Sequence, residues 1–223
     1  MFDLDHFSLT GAVRLPGHAC AVMTSIEEAL KRIPNDHPGI RLREIAALPE
    51  LIGAQSQIGQ TAQRAIGPQA MPVRAILFDK SSNTNWSLGW HQDRTICVDQ
   101  RIETPGYGPW TIKQGIQHVS PPIKLLESMV TMRIHLDDVP ASNAPLLIAP
   151  GSHRMGRIAE CDVAETVKRC GTVACIADAG DVWLYSTPIL HASEAAAVPS
   201  RRRVLQIDYA AAKLPNGLNW AGV

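Results

Sequence analysis

What this sequence lacks narrows its chemistry before any motif is read. Neither sign of charge is in surplus: lysine and arginine together number 21, aspartate and glutamate together 21, and the formal net charge is zero. A balanced chain has no long-range field to draw it onto nucleic acid or an anionic membrane. Neither is expected as a partner; a small molecule met by local charge matching is. Long apolar runs are missing too. Met1 to Pro16 is interrupted by Asp3, Asp5, His6 and Arg14, unlike the unbroken apolar core of a secretion signal, and no later stretch reaches the roughly 20 apolar residues of a membrane span. The five cysteines, at positions 20, 97, 161, 170 and 175, include no Cys-x-x-Cys pair. An odd set of unmatched thiols points to a reducing, cytoplasmic setting. Cys170 and Cys175 alone would leave a four-coordinate zinc half empty, so neither a structural zinc nor a disulfide is expected. Internal repeats and low-complexity segments are absent as well.

What is present reads as one domain spanning 1–223, with a helical layer over about 1–70 and a β-rich core over about 71–210. Residues 7–17 suggest a short helix or turn and then an edge strand, stopped by Pro16-Gly17. Ser25 and Glu28 have the spacing of a capping box, at the head of a helix that gathers Ile26, Ala29, Leu30 and Ile33 on one face before Pro34. A second helical region runs from Pro49 toward Ile66. Strand signals follow at 73–78, at 130–137, and again at 145–149, 172–176, 181–185 and 203–209. In the second of these Val130, Met132, Ile134 and Leu136 alternate with Thr131, Arg133 and His135. Helical stretches are expected near 123–128 and 158–170. The segment 101–122 is too rich in glycine and proline for regular structure, and an ordered loop of that length beside a site is expected to be a lid. Short strands without regular strand–helix alternation favour an antiparallel, barrel-like sandwich over a parallel sheet.

The chemistry concentrates around Trp86-Ser87-Leu88-Gly89-Trp90-His91-Gln92-Asp93. His91 and Asp93 are two apart, so on an extended strand both leave the same face and can reach one ion. A third ligand comes from His191, at the end of the segment that begins with Gly180. Two imidazoles and one carboxylate, with the other positions open, suit non-haem Fe(II) oxygenases. The run Arg201-Arg202-Arg203 then acquires a use, because a guanidinium can hold a carboxylate through two parallel hydrogen bonds.

Three motifs in order carry a resemblance: Trp90-His91-Gln92-Asp93; Asn143 to Arg154, with Pro150-Gly151-Ser152-His153 at its centre; and His191-Ala192-Ser193 with Arg202. Together, over about 7–209, they resemble the phytanoyl-CoA dioxygenase family of Fe(II)- and 2-oxoglutarate-dependent oxygenases. His-x-Asp alone is a weak signal, and the ordered combination is a specific one. The resemblance implies a mainly β fold with flanking α-helices, the double-stranded β-helix or cupin-like jelly roll. It implies His91, Asp93 and His191 as catalytic residues and iron ligands. Arg202, eleven positions past His191, would pair with the far carboxylate of 2-oxoglutarate and Ser193 would assist it; Arg203 is the alternative in the neighbouring register. Arg74, Lys80 and Asn85 are candidates for the other end of the cosubstrate. Consumption of O2 and 2-oxoglutarate would release succinate and carbon dioxide, and the presence of Asp93, where related halogenating enzymes carry a small residue, favours hydroxylation.

For the prime substrate the candidates are Tyr107 and Trp110 in the suspected lid, Arg133, and His153. Arg133 faces either the pocket or an outer carboxylate, and His153 has the simpler alternative of tying down a loop. Trp86 and Trp90 are expected to pack around the metal strand; His118 and His135 take no assigned role. The acyl-CoA of the family's namesake is not carried over, because nothing in the chain marks a nucleotide or pantetheine site. Two other classes share the motifs: a sensor that binds iron and 2-oxoglutarate without oxidising a substrate, and a cupin-like zinc or manganese hydrolase or isomerase. The latter has no need of an arginine matched to a dicarboxylate.

Overall fold

The computed structural model describes residues 2–35, 37–197 and 199–223. In chain order the helices are α1 (Leu4–Thr10), α2 (Met23–Leu30), α3 (Leu48–Ile52), α4 (Gln57–Ile66), α5 (Ile123–Glu127) and α6 (Val163–Cys170). The strands are β1 (Ala12–Leu15), β2 (Ile40–Leu42), β3 (Met71–Lys80), β4 (Leu88–His91), β5 (Ile96–Val98), β6 (Trp110–Lys113), β7 (Ile116–Val119), β8 (Met129–His135), β9 (Leu146–Ile148), β10 (Val173–Ala174), β11 (Val182–Ser186), β12 (His191–Ser193) and β13 (Arg202–Ala210). They form a six-stranded sheet in the order β1-β11-β8-β13-β3-β2, a four-stranded sheet β10-β9-β12-β4 and a three-stranded sheet β5-β7-β6. All pairings are antiparallel and the sheets stay open rather than closing. The expected mainly β jelly roll with flanking helices is what the chain forms.

The large sheet owes its place to two unlike faces. β13 lies between β3 and β8 in the register Arg74↔Asp208, Lys80↔Arg202 and Gln206↔Arg133. Side chains alternate across a strand, so Leu77, Met132, Ile134, Leu205, Ile207 and Tyr209 share the face that packs on Ile26, Leu30, Leu48, Ile52 and Ile58 from the helices. Each fully buried aliphatic side chain there stabilises the fold by roughly 1.5–3 kcal/mol. The other face carries Arg74, Thr131, Arg133, His135, Arg202, Gln206 and Asp208, all buried. Polar groups held out of water on three adjacent strands cost free energy unless they find partners. That face is the interior of the jelly roll, and the candidate site lies on it.

Three local expectations are corrected. The capping box at Ser25 does not form: α2 grows out of a 3-10 turn at Cys20–Val22, and its N-cap, Val22, makes no side-chain bond. The helical region 49–66 is two helices, because the chain breaks at Gly53 and restarts with Ser56, whose Oγ accepts from Gly59 N at 3.0 Å. Gly59 is required there, since a Cβ would run into the Gly53 carbonyl. The segment 101–122 is not irregular throughout. β6 and β7 make a hairpin joined at Gln114-Gly115, whose φ values of 50° and 77° are both left-handed, as the tight hairpin turns that match strand twist require. Glycine and proline crowd its approach, 105–109, and prolines follow it at 121 and 122.

All five cysteines are free thiols. No helix among the described residues is long and apolar enough to cross a membrane.

Candidate metal centre

β12 pairs with β4 so that His191 lies directly opposite His91, and the pairing register shifts immediately after it. The imidazole centroids are 4.3 Å apart. Asp93, two residues beyond His91, completes a group whose ligand atoms all lie within 4.8 Å of one another. Each imidazole is oriented by its own strand: His91 Nδ1 lies 2.7 Å from the Gly89 carbonyl oxygen, and His191 Nδ1 lies 3.0 Å from that of Ile189. A carbonyl can only accept, so Nδ1 carries the hydrogen and the Nε2 lone pair is left for an ion. Burial pushes the His191 pKa down to about 4. Burial opposes ionisation of Asp93, but Arg74 and then the two imidazoles outweigh it and hold the carboxyl below its ordinary range. The donors are thus two imidazoles whose Nε2 atoms are left for an ion, that of His191 neutral at pH 7, and one carboxylate, a set that fits Fe(II).

Two residues that the sequence reading passed over support this centre. Gln92, between the two donors and pointing away from them, spends its whole amide: Nε2 donates to Gly156 O (2.9 Å) and Pro188 O (2.8 Å), and Oε1 accepts from Ile158 N (2.9 Å). Ser152, fully buried, accepts from Leu190 N at 2.9 Å and donates to Ala149 O at 2.7 Å. The Pro150-Gly151-Ser152 turn thereby anchors the residue before His191. The only sequence signal for either was its place inside a motif.

The centre opens on a cavity of about 330 Å³. Arg74, Arg133 and Arg202 line it, all buried. Arg74 is neutralised, with Nε 2.5 Å from Asp208 and Nη2 3.4 Å from Asp93; Thr131 donates to Asp208 at 3.0 Å. Arg133 donates to Gln206 Oε1 at 2.7 Å and lies over the Phe78 ring at 5.3 Å. Arg202 donates to the Ala144 carbonyl and approaches Ser193 Oγ at 3.5 Å. Neither Arg133 nor Arg202 has a carboxylate within ion-pair distance among the described residues. Two buried guanidiniums without a counter-ion are costly.

The other candidates fall in different places. Arg203 turns outward to Asp137 and Glu27, and Arg201 reaches Asp79 and Asn35. Lys80 sits behind Ser193: Nζ donates to Ser193 Oγ (2.9 Å), Trp86 O (2.7 Å) and Glu194 O (2.8 Å). Burial, then Arg202 and Arg133, bring its pKa down to about 7. Asn85 trades two hydrogen bonds with the Ala196 backbone and does not line the cavity. Neither do Tyr107 and Trp110, which pack against the cluster of Val98, Val119 and Leu126. His153 is also remote; its Nε2 bonds the Ser8 carbonyl and its ring fills the space where Gly11 has no Cβ. Trp90 packs on Leu190 and Ile158, whereas Trp86 lines the cavity instead of packing around the strand.

An open antiparallel jelly roll that brings two histidines and an aspartate to the rim of a cationic cavity is the architecture of a mononuclear non-haem oxygenase. Residues 45–204 match the model of the phytanoyl-CoA dioxygenase (PhyH) family, and the chain belongs to that family. A comparison with curated proteins finds no match. Among solved structures the chain is similar to EctD from S. alaskensis with bound Fe, at 18% identity over 99% of this chain and 79% of that one, TM-score 0.68. It is similar to AviO1 from Streptomyces viridochromogenes Tue57, at 19% identity over 93% and 92%, TM-score 0.64. HygX from Streptomyces hygroscopicus, with nickel and 2-oxoglutarate bound, aligns at 14% identity over 94% and 87%, TM-score 0.60. At such identities the likeness is one of fold.

Proposed function

We propose that this chain is an Fe(II)- and 2-oxoglutarate-dependent dioxygenase that hydroxylates a small molecule, with His91, Asp93 and His191 as the iron ligands. The observation that carries the reading is the coincidence, in one cavity, of that donor set with the counter-ion-free guanidiniums of Arg133 and Arg202. A dicarboxylate cosubstrate supplies the missing charge. Family membership supports the same cofactors, Fe(II), 2-oxoglutarate and O2, as do the iron in the EctD structure and the 2-oxoglutarate in that of HygX. A zinc or manganese hydrolase would leave Arg202 buried to no purpose, and a sensor would not consume 2-oxoglutarate.

Bound iron with 2-oxoglutarate and dioxygen supplies the oxidising power, with succinate and carbon dioxide as co-products. The chain's own residues bind and orient. Arg202, with Ser193 Oγ beside it, takes the far carboxylate, and Lys80 holds Ser193 in place from behind. Arg74 bridges Asp93 and Asp208 and so fixes the carboxylate ligand against rotation. Arg133, braced by Gln206, closes the inner wall. Trp86, Phe78 and Leu88 give the substrate an apolar wall, in the role earlier expected of Tyr107, Trp110 and His153.

The test is anaerobic addition of Fe(II) and then 2-oxoglutarate to the metal-free protein. A weak visible charge-transfer absorption is expected, as for iron chelated by a 2-oxo acid. It should be absent in His191→Ala. In Arg202→Met it should need at least about tenfold more 2-oxoglutarate, because a buried charge-assisted bond contributes on the order of 1.5–3 kcal/mol. Iron binding without the band in the unaltered protein would end the oxygenase reading.

A further inference from the structure

The reaction accounts for the inner end of the cavity, but its remaining wall carries charge that the reaction does not use. Arg41 on β2 and Lys113 at the end of β6 line the same cavity as His91 and Asp93. Asp93 is the one carboxylate among the described lining residues, against five cationic side chains. Arg74 is neutralised by its two carboxylates, and Arg133 and Arg202 belong to the cosubstrate. Iron and 2-oxoglutarate bear equal and opposite charge, so their arrival leaves Arg41 and Lys113 uncompensated. Among the described residues neither forms an ion pair.

Arg41 is moreover built in rather than left loose. Its Nε donates to His118 Nε2 at 3.2 Å, and His118 Nδ1 in turn bonds the Ile116 carbonyl at 2.9 Å, which makes Nε2 the acceptor. Cys97 Sγ lies 3.1 Å from the same nitrogen. Burial brings the His118 pKa down to about 4, so the imidazole is neutral. A neutral acceptor fixes the guanidinium without cancelling its charge, as a carboxylate would. The backbone is clasped as well: Gln114, in the turn of the β6–β7 hairpin, accepts from Arg41 N (3.1 Å) and donates to Gly39 O (2.8 Å). That clasp ties the strand bearing Arg41 to the hairpin bearing Lys113. Beyond His118 and the weak acceptor Cys97, the Arg41 side chain has no hydrogen-bond partner among the described residues, which leaves its terminal nitrogens able to make a forked contact with an anion.

We propose that Arg41 and Lys113 form an anion-binding subsite for the prime substrate, which therefore carries a carboxylate or phosphate group and lays an apolar portion along Trp86 and Leu88. The assignment to the prime substrate rests on the oxygenase reading; the subsite itself does not.

The test is calorimetric titration of the anaerobic Fe(II)- and 2-oxoglutarate-loaded protein, its inner guanidiniums filled, with butyrate, butyl phosphate and neutral butanol at low salt. Saturable binding of at least one anion is expected, and none of butanol at the same concentrations. Preference between butyrate and butyl phosphate identifies the group. Arg41→Gln should weaken binding at least tenfold. Lys113→Glu, on an exposed strand end where folding is not at stake, should abolish it while the charge-transfer absorption stays unchanged. Absence of saturable anion binding, butanol binding as well as the anions, or binding unaffected by Lys113→Glu would overturn the subsite. If the absorption never appears yet anion binding still depends on Lys113, the oxygenase reading falls and the subsite stands.

Discussion

Lys80 shows how much a single side chain in this cavity depends on charge it does not carry. It is almost wholly buried and its ammonium has three oxygen acceptors, yet burial, Arg202 and Arg133 hold its pKa down to about 7, against 10.5 for the free side chain. A dianion placed on Arg202 adds negative charge nearby and restores the ordinary preference for the protonated amine. Above pH 7 the cosubstrate-free protein is largely deprotonated at Lys80 and the bound form is not, so binding takes up a proton. Calorimetry of 2-oxoglutarate binding at pH 8 in buffers of different ionisation enthalpy should show uptake of up to one proton. Lys80→Met should abolish it, and an uptake unchanged in that variant would assign the proton elsewhere.

Between elements, the helical layer is joined to the large sheet by packing and by a buried hydrogen bond. Tyr209 on β13 is fully buried and donates to the carbonyl of Ile52, at the end of α3, at 2.7 Å. Tyr209→Phe keeps the ring and strands that carbonyl, at an expected cost of about 1–2 kcal/mol in urea unfolding. Ile58→Ala on α4 removes packing against the same face and should cost about 2–5 kcal/mol. Because this layer covers the face opposite the cavity, both variants should bind 2-oxoglutarate as the unaltered protein does; a parallel loss would show that the layer shapes the site. The elements also differ in how plainly the sequence announces them. β8 was legible because Val130, Met132 and Ile134 alternate with polar residues. The β6–β7 hairpin was not, because β6 is mostly exposed and a glycine- and proline-rich approach masks a short strand that pairs only with β7, just across a tight turn.

For the molecule as a whole, a polar interior makes stability sensitive to acid. His118 and His135 are buried, with pKa values brought down by burial to about 4 and about 3 from 6.5. A folded pKa below the unfolded one means that the unfolded chain binds the proton first. The stability that comes from keeping these rings neutral is present above pH 6.5 and is lost as pH falls through 4 and then 3. On the order of a few kcal/mol should disappear over that window. Neither ring nitrogen of His135 has a hydrogen-bond partner among the described residues, so His135→Leu should cost little at pH 7 and flatten the acid limb. Unfolding free energies measured from pH 7 to pH 3 would check this, and an unaltered slope in His135→Leu would refute the assignment.

The sequence by itself determined that His91 and Asp93, two residues apart, can reach one ion, that alternating residues of β8 divide between two environments, and that the chain builds antiparallel strands rather than a parallel sheet. These are local periodicities, readable wherever they occur. Only the tertiary structure decided which environment each face would meet. The register Arg202↔Lys80 turns Arg202 into the cavity and sends Arg203 out to Asp137, and a slip of one residue would have exchanged them. It also decided that Arg133 faces inward, that Tyr107, Trp110 and His153 serve packing away from the cavity, and that Arg41 finds its acceptor in His118, 77 residues along the chain. Alternation states that two faces differ; pairing between distant strands selects the one that encloses the site.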